Sequence, residues 1–274
     1  MNQRKTFERR WKKGSSSEPI QITIPVQAQL SVIIPTKNEE KLLERCLQQF
    51  SPRIKHRFGI EIIVSDGGST DNTIGIAAAY ADFIATHDAD RGPTPRRQTI
   101  AEGRNRGAEM AHADLLLFLN ADTLIPNIEL FLRRVVQRFA VNESLSAIAT
   151  RVEVLPEERG WSDVLFHAYF NRYVRYANLV GLGMGRGECQ IVRRDAFELL
   201  NGYDPQMAAG EDFDLYRRIR SIGRVKYDRK LLVFESPRRY RKYGYARVYF
   251  DWIRNGVAVL LRHRSAQDVW EEVR

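Results

Sequence analysis

Asn120 and Asp122 close a short apolar run, Leu115-Leu-Leu-Phe-Leu-Asn-Ala-Asp122, that reads as a buried strand. Residues two apart on a strand project to the same side, so the amide and the carboxylate are expected to emerge together at its C-terminal edge. Hard oxygen ligands of this kind hold a divalent cation and leave positions open for phosphate oxygens. That chemistry suits an enzyme handling a nucleotide diphosphate. An Asx-rich turn closing a strand uses the same residues, so neighbouring segments must decide between the two.

A second pair of acids, Glu211 and Asp212, opens a stretch in which Leu215, Ile219 and Ile222 recur at helical spacing. Asp212 lies one turn before Leu215 and Tyr216, which points it inward at the helix N-terminus. The helix dipole is expected to lower its pKa there. A carboxylate so placed can take the proton of an attacking hydroxyl. The ordinary acidic bias of a first helical turn explains the same two residues.

These groups need a scaffold, and the first half of the chain supplies a regular one. Strands are expected at residues 31–35, 61–66, 82–86 and 115–120, alternating with helices at 39–50, 70–80, 97–111 and 127–139. Such alternation argues for an α/β fold with a mostly parallel sheet covered on both faces. Ligands in these sheets bind beyond the carboxyl ends of the strands, where Asp66 and the Asn120/Asp122 pair fall. The second half is less regular. It reads as a strand at 145–155, a helix at 161–176, a strand at 188–193, and helices at 195–200 and 211–222. Gly181-Leu-Gly-Met-Gly-Arg-Gly187 lacks dinucleotide-binding spacing and reads as a mobile loop. The aromatic residues Trp161, Phe166, Tyr169, Phe170 and Tyr173 read as core ahead of a binding wall.

A chain of 274 residues, 43% hydrophobic, supports one large α/β domain or two small ones. The net charge of +9 calls for an acidic partner: nucleotide diphosphate, anionic lipid or nucleic acid. Residues 1–28, with Arg4, Lys5, Arg9, Arg10, Lys12 and Lys13, read as a basic, poorly ordered arm. A second basic concentration runs from Arg217 to Arg247. No apolar run approaches the roughly 20 residues of a membrane span, and no signal-peptide core precedes the domain. Cys46 and Cys189 stand far apart with no Cys or His at metal-ligand spacing, which points to a reduced, cytoplasmic setting.

Five stretches in order carry a resemblance: Val32-Ile-Ile-Pro-Thr-Lys-Asn-Glu39, Ile63-Val-Ser-Asp-Gly-Gly-Ser-Thr-Asp71, Gly103-Arg-Asn-Arg-Gly107, Phe118-Leu-Asn-Ala-Asp122 and Gly210-Glu-Asp-Phe-Asp-Leu-Tyr-Arg-Arg218. Together they make the chain resemble the family 2 glycosyltransferases. The resemblance implies the GT-A fold, a single Rossmann-like domain with a mostly parallel central sheet flanked by helices. It also implies inverting, non-processive transfer of one sugar from a nucleotide-diphosphate sugar to an acceptor hydroxyl or lipid phosphate. By that resemblance Pro35, Thr36, Asn38 and Glu39 cup the base and ribose, although Pro35 ending a strand and Asn38 capping a helix would serve a plain turn equally well. Asp66 matches the acid that hydrogen-bonds the base, here without the second adjacent acid of many relatives. Arg104 matches a phosphate or base contact. Asn120, Ala121 and Asp122 replace the usual Asp-x-Asp, with Asp122 the direct ligand of Mn²⁺ or Mg²⁺ and Asn120 a ribose or water-mediated contact. Asp212, with Glu211 beside it, matches the catalytic base, and the 181–187 loop falls on the acceptor side.

Two other classes compete. A sugar-nucleotide nucleotidyltransferase needs a Gly-rich loop after the first strand, where this chain has Pro35-Thr-Lys-Asn-Glu-Glu40. A basic nucleic-acid-binding protein would carry a reader motif, and acids at strand ends repel phosphate, so no nucleic-acid partner is expected. Ser236-Pro-Arg-Arg-Tyr240 matches the Gln-x-x-Arg-Trp of processive synthases only in part. The main domain is expected over 29–242, followed by an amphipathic helical segment at 243–274. Its Tyr245, Val248, Tyr249, Trp252 and Ile253, interspersed with Arg247 and Arg254, suit peripheral contact with the inner face of an anionic membrane. They equally suit packing back on the domain or on a second subunit in a homo-oligomer.

Overall fold

The computed structural model describes residues 29–87 and 98–262. The basic N-terminal arm and the last part of the C-terminal segment lie outside the described residues. The first half follows the expected alternation: β1 (Leu30–Thr36), α1 (Leu43–Gln48), α2 (Pro52–Phe58), β2 (Ile60–Asp66), α3 (Thr73–Tyr80), β3 (Phe83–Thr86), α4 (Ile100–Glu109), β4 (Leu115–Leu119) and α5 (Ile128–Ala140). The second half contains β5 (Leu145–Val154), α6 (Trp161–Leu179), β6 (Cys189–Arg193), α7 (Arg194–Leu199), α8 (Glu211–Ile222), β7 (Arg224–Glu235), α9 (Arg238–Tyr243) and α10 (Tyr245–Arg262).

The strands form one seven-stranded sheet in the order β3-β2-β1-β4-β6-β5-β7. Pairs β2–β3, β1–β2, β1–β4 and β5–β7 are parallel, and β6 alone among them runs antiparallel, between β4 and β5. Alternate residues of the central strands feed two cores. Val32, Ile34, Leu115 and Leu117 face α1, α2, α3 and α5, while Ile33, Leu116 and Phe118 face α4, α6, α7 and α8. Pro35 falls past the last β1 residue paired with β4, where its missing N–H breaks no bond on that side.

Several elements differ from the sequence expectation. The single helix expected over 39–50 starts only at Leu43, and a separate α2 follows, started by Ser51 accepting from Ile54 N and by Pro52, and ended by Gly59 at φ 57°. The basic stretch after Arg217 contains a whole strand, β7, on the sheet edge. Its exposed charges alternate with inward Val225, Leu231 and Val233, and one of its two buried acids, Asp228, takes two hydrogen bonds from Arg134 (2.8 and 2.9 Å) and one from Arg138 (2.9 Å).

The described part of α10 packs back on the domain. Val248 and Val259 are buried, and Tyr245, Tyr249 and Trp252 stack among Phe166, Phe170 and Tyr240. Of the expected arrangements this is the packing back on the domain. Among the described residues no helix is long and apolar enough to cross a membrane.

Candidate active site

The carboxyl ends of β1 and β4, the loop before β6, the start of α8 and the start of α9 surround one cavity of about 660 Å³. Pro35, Thr36, Glu39, Arg104, Asn120, Ala121, Asp122, Glu211 and Asp212 all line it. Asn38 and Asp66 do not. Asn38 has φ 52° and its side chain accepts from Thr70 N (2.8 Å), tying two loops together; it caps no helix, since α1 begins at Leu43 behind Leu42. The Asp66 carboxylate is turned into its own loop. It accepts from Gly68 N (2.9 Å), Ser69 N (2.8 Å) and the hydroxyls of Ser69 and Thr36, so both of its oxygens are engaged by the loop and by the end of β1.

Asn120 and Asp122 both line the cavity but take different partners. β4 stops at Leu119, and Thr123 N donates to Asn120 O (3.1 Å) to close a turn there. Asn120 Oδ1 accepts from Arg104 Nη2 (3.2 Å). Asp122 reaches Arg238, whose Nη2 lies 3.1 Å from Asp122 Oδ2. The same guanidinium holds Glu39 with two bonds, 2.8 and 3.0 Å. Burial pushes the Asp122 carboxyl above its usual pKa, and Glu39 and Glu188 push it the same way while Arg238 opposes them.

Arg104 lines the cavity from a nearly closed position. Its guanidinium is 1% exposed, donates to Glu211 Oε1 (2.7 Å), Asn120 Oδ1 and the Gly187 carbonyl (2.7 Å), and rests on the Tyr203 ring. Glu211 is therefore the buried counter-ion of Arg104, while Asp212 beside it has no ion pair among the described residues. Asp212 accepts from the amide of Phe213 (2.8 Å). Its pKa is not lowered by the helix dipole. Burial raises it to about 7, with Glu211 and Glu188 adding to the rise against Arg104. The few N–H dipoles of the helix end are outweighed by desolvation and two neighbouring acids.

The far wall of the cavity was not foreseen. Arg186, itself buried, donates from Nη2 to Glu188 Oε1 and Glu235 Oε1, both at 2.8 Å, and lies over the rings of Phe170 and Trp252. Burial opposes ionisation of Glu188, yet Arg186 outweighs it and holds that acid below its usual pKa, whereas burial and Glu188 push Glu235 well up. Burial, reinforced by Arg186, brings His167 beside them down to about 3, so it stays neutral. The 181–187 loop packs closely here. Gly183 has φ 71°, and a Cβ there would meet the Tyr216 carbonyl at 2.5 Å; a Cβ on Gly187 would crowd Arg104 and Asp212. The expected aromatic cluster divides: Phe166 and Phe170 pack inward, while Trp161, Tyr169 and Tyr173 are exposed.

The donor set suits a hard divalent cation. Asp122 offers one carboxylate to the cavity, with Glu39 and Glu188 close enough to raise its pKa, Arg238 beside Asp122 and Glu39, and Arg186 on Glu188. Among the described residues no three His, Cys, Asp or Glu side chains converge as a complete cage. That fits an ion held by one protein carboxylate and completed by substrate oxygens. Asn120 Oδ1 accepts one bond from Arg104 and keeps a second lone pair for an ion or water.

Comparison with known proteins gives the same picture. Residues 31–200 match the model of glycosyl transferase family 2. Validoxylamine A glucosyltransferase of Streptomyces hygroscopicus subsp. limoneus is 37% identical over 95 residues, 35% of this chain and 20% of that protein. The chain thus matches only about a fifth of that relative's length. Succinoglycan biosynthesis protein ExoA of Rhizobium meliloti is 26% identical over 85% of this chain and 71% of its own. The mannosyltransferase PcManGT from Pyrobaculum calidifontis, solved with GDP-Man and Mn²⁺, superposes with a TM-score of 0.63 at 20% identity, covering 85% of this chain and 62% of that one. At that identity the likeness speaks to fold, and the fold is GT-A.

Proposed function

Because the chain belongs to glycosyl transferase family 2, we propose that it transfers a single sugar from a nucleotide-diphosphate sugar, with inversion, to an acceptor hydroxyl or lipid phosphate. The observation that carries this reading is the pairing in one cavity of Asp122, a buried carboxylate among Glu39, Glu188 and Arg238, with Asp212, a carboxylate whose pKa is raised to about 7. The first suits the diphosphate end of a donor, the second suits a proton acceptor working near neutral pH.

In the proposed reaction the acceptor oxygen forms a bond to the anomeric carbon as the bond from that carbon to the diphosphate oxygen breaks. Asp212 takes the proton the acceptor hydroxyl loses; an acceptor already anionic would not need it. Arg104 positions the site through Glu211, Asn120 and the Gly187 carbonyl, and does so from within the protein. Arg238 supplies positive charge beside Asp122 and Glu39. Mn²⁺ or Mg²⁺ held by Asp122, the metal class bound in the PcManGT structure, would supply Lewis-acid neutralisation of the leaving diphosphate.

A thermal-shift screen of UDP-, GDP- and dTDP-sugars with Mn²⁺ or Mg²⁺ tests the donor half of this reading. A matching donor at about 100 times its dissociation constant adds ~2.7 kcal/mol of stability. No shift with any nucleotide sugar, in either metal, would remove the support for a donor site.

A further inference from the structure

α6 carries apolar residues on the side away from the core as well as toward it. Its inward face buries His167, Phe170, Asn171, Val174 and Ala177 against the sheet. On the opposite face Trp161, Leu165, Tyr176 and Leu179 are 85, 70, 65 and 72% exposed, and Tyr169 and Tyr173 continue the same stripe. Over 19 residues this makes an open apolar face about 28 Å long. α10 joins it through the Tyr169–Tyr249 hydroxyl contact (2.7 Å) and adds exposed Phe250 and Ile253.

Beside this face runs a groove of about 540 Å³ lined by Arg151, Arg159, Arg172, Arg175 and Arg229. Its acids are already engaged, Glu153 by Arg151 and Arg159, Asp163 by Arg241. Arg172, Arg175 and Arg229 form no ion pair with a described acid. Long apolar and Trp/Tyr contact flanked by unpaired arginines matches the layered chemistry of a bilayer surface: acyl boundary, then phosphate. A second copy of this chain fits less well, since a twofold contact along α6 would bring arginine-rich flanks toward each other.

We propose that α6 is a membrane-docking surface, its outer apolar face entering the headgroup boundary of an anionic bilayer and the adjacent arginine groove holding lipid phosphate. Tyr173 belongs both to this face and to the lining of the catalytic cavity, so docking sets the cavity mouth at the lipid surface. The surface is independent of the transfer reaction proposed above, and vesicle binding reads it without turnover.

The test is co-sedimentation of the full chain with phosphatidylcholine vesicles, with and without about 30% phosphatidylglycerol. The intact protein should bind the anionic vesicles, and added salt should weaken binding. Leu165→Ser/Leu179→Ser and Arg172→Gln/Arg175→Gln should each lower the partition coefficient by about tenfold or more, with melting temperatures unchanged because these side chains are exposed. Wild-type binding by either double variant, or no binding by the intact chain, would overturn the proposal. So would displacement by inorganic phosphate at the lipid-phosphate concentration, which would mark a free-anion site. A lipid-free dimer that Leu165→Ser/Leu179→Ser converts to monomer would overturn it in favour of self-association.

Discussion

Arg238 Nη2 stands 3.1 Å from Asp122 Oδ2 while the same guanidinium grips Glu39 through both nitrogens. The side chain best placed to hold a metal thus already has a protein cation beside it. A divalent ion arriving at Asp122 must share its carboxylate with Arg238 or displace it. Arg238→Gln should therefore tighten Mn²⁺ binding to the donor-free protein by roughly tenfold, since one like-charge repulsion at close range is removed. Titration of the Mn²⁺ paramagnetic signal reads this directly, and unchanged or weaker binding would mean that Arg238 does not oppose the ion.

Asp122→Ala should abolish both metal and donor binding, and excess EDTA should stop transfer. Asn120→Asp should keep activity or raise metal affinity, because it adds a carboxylate beside the site, although the new acid will also be drawn to Arg104. Full turnover in chelator would refute the metal assignment.

Asp212→Asn should leave the donor dissociation constant within a few-fold while kcat falls by about 10²–10⁴. With Asp212 at about 7, kcat/KM should rise with pH through an acidic limb near neutrality, and the limb should vanish in the variant. A mild effect on kcat would point to an acceptor that arrives as an anion.

The same raised pKa fixes a stability trend. The folded protein holds the Asp212 proton more tightly than the unfolded chain, whose Asp titrates near 3.8, so stability should fall as pH rises from about 4 to about 7. Asp212→Asn removes that slope. Its melting temperature relative to wild type should grow across this window and level off above it; a constant difference would place Asp212 in a solvated setting.

Arg104→Met should cost about 3–5 kcal/mol in denaturant unfolding, because Glu211 is left buried without its cation. Arg104→Met/Glu211→Gln should recover part of that loss. If Arg104→Met folds normally and loses only donor affinity, Arg104 belongs to the ligand and not to the frame.

Much of the fold was legible because its central strands are apolar on both faces and their ends are marked by polar residues, as at Leu119–Asn120 and Asp66. α2 also had its signals, Ser51-Pro52 before and Gly59 after, but they fell inside and beside a longer apolar pattern that masked the break. β7 was hidden because its outward charges dominate its composition, and a period of two is hard to see through Arg229 and Lys230 at a bulge. The site was legible where function and strand ends coincide. It was not legible where partners are distant: Glu39 and Arg238 are 199 residues apart, and nothing local marks Arg238 beyond a partial motif match. The Asp212 pKa failed for a related reason, since the helix dipole is visible in sequence while the burial and the Glu188 charge that outweigh it are not.

The most direct measurement of sugar transfer is phosphorus NMR of the products formed from whichever nucleotide sugar stabilises the protein most, with diamagnetic Mg²⁺ and a panel of hydroxyl and lipid-phosphate acceptors. A free nucleoside diphosphate should appear with wild type and not with Asp122→Ala. Pyrophosphate or nucleoside triphosphate among the products would instead make this protein a nucleotidyltransferase, and a donor left intact with every acceptor would contradict transfer altogether.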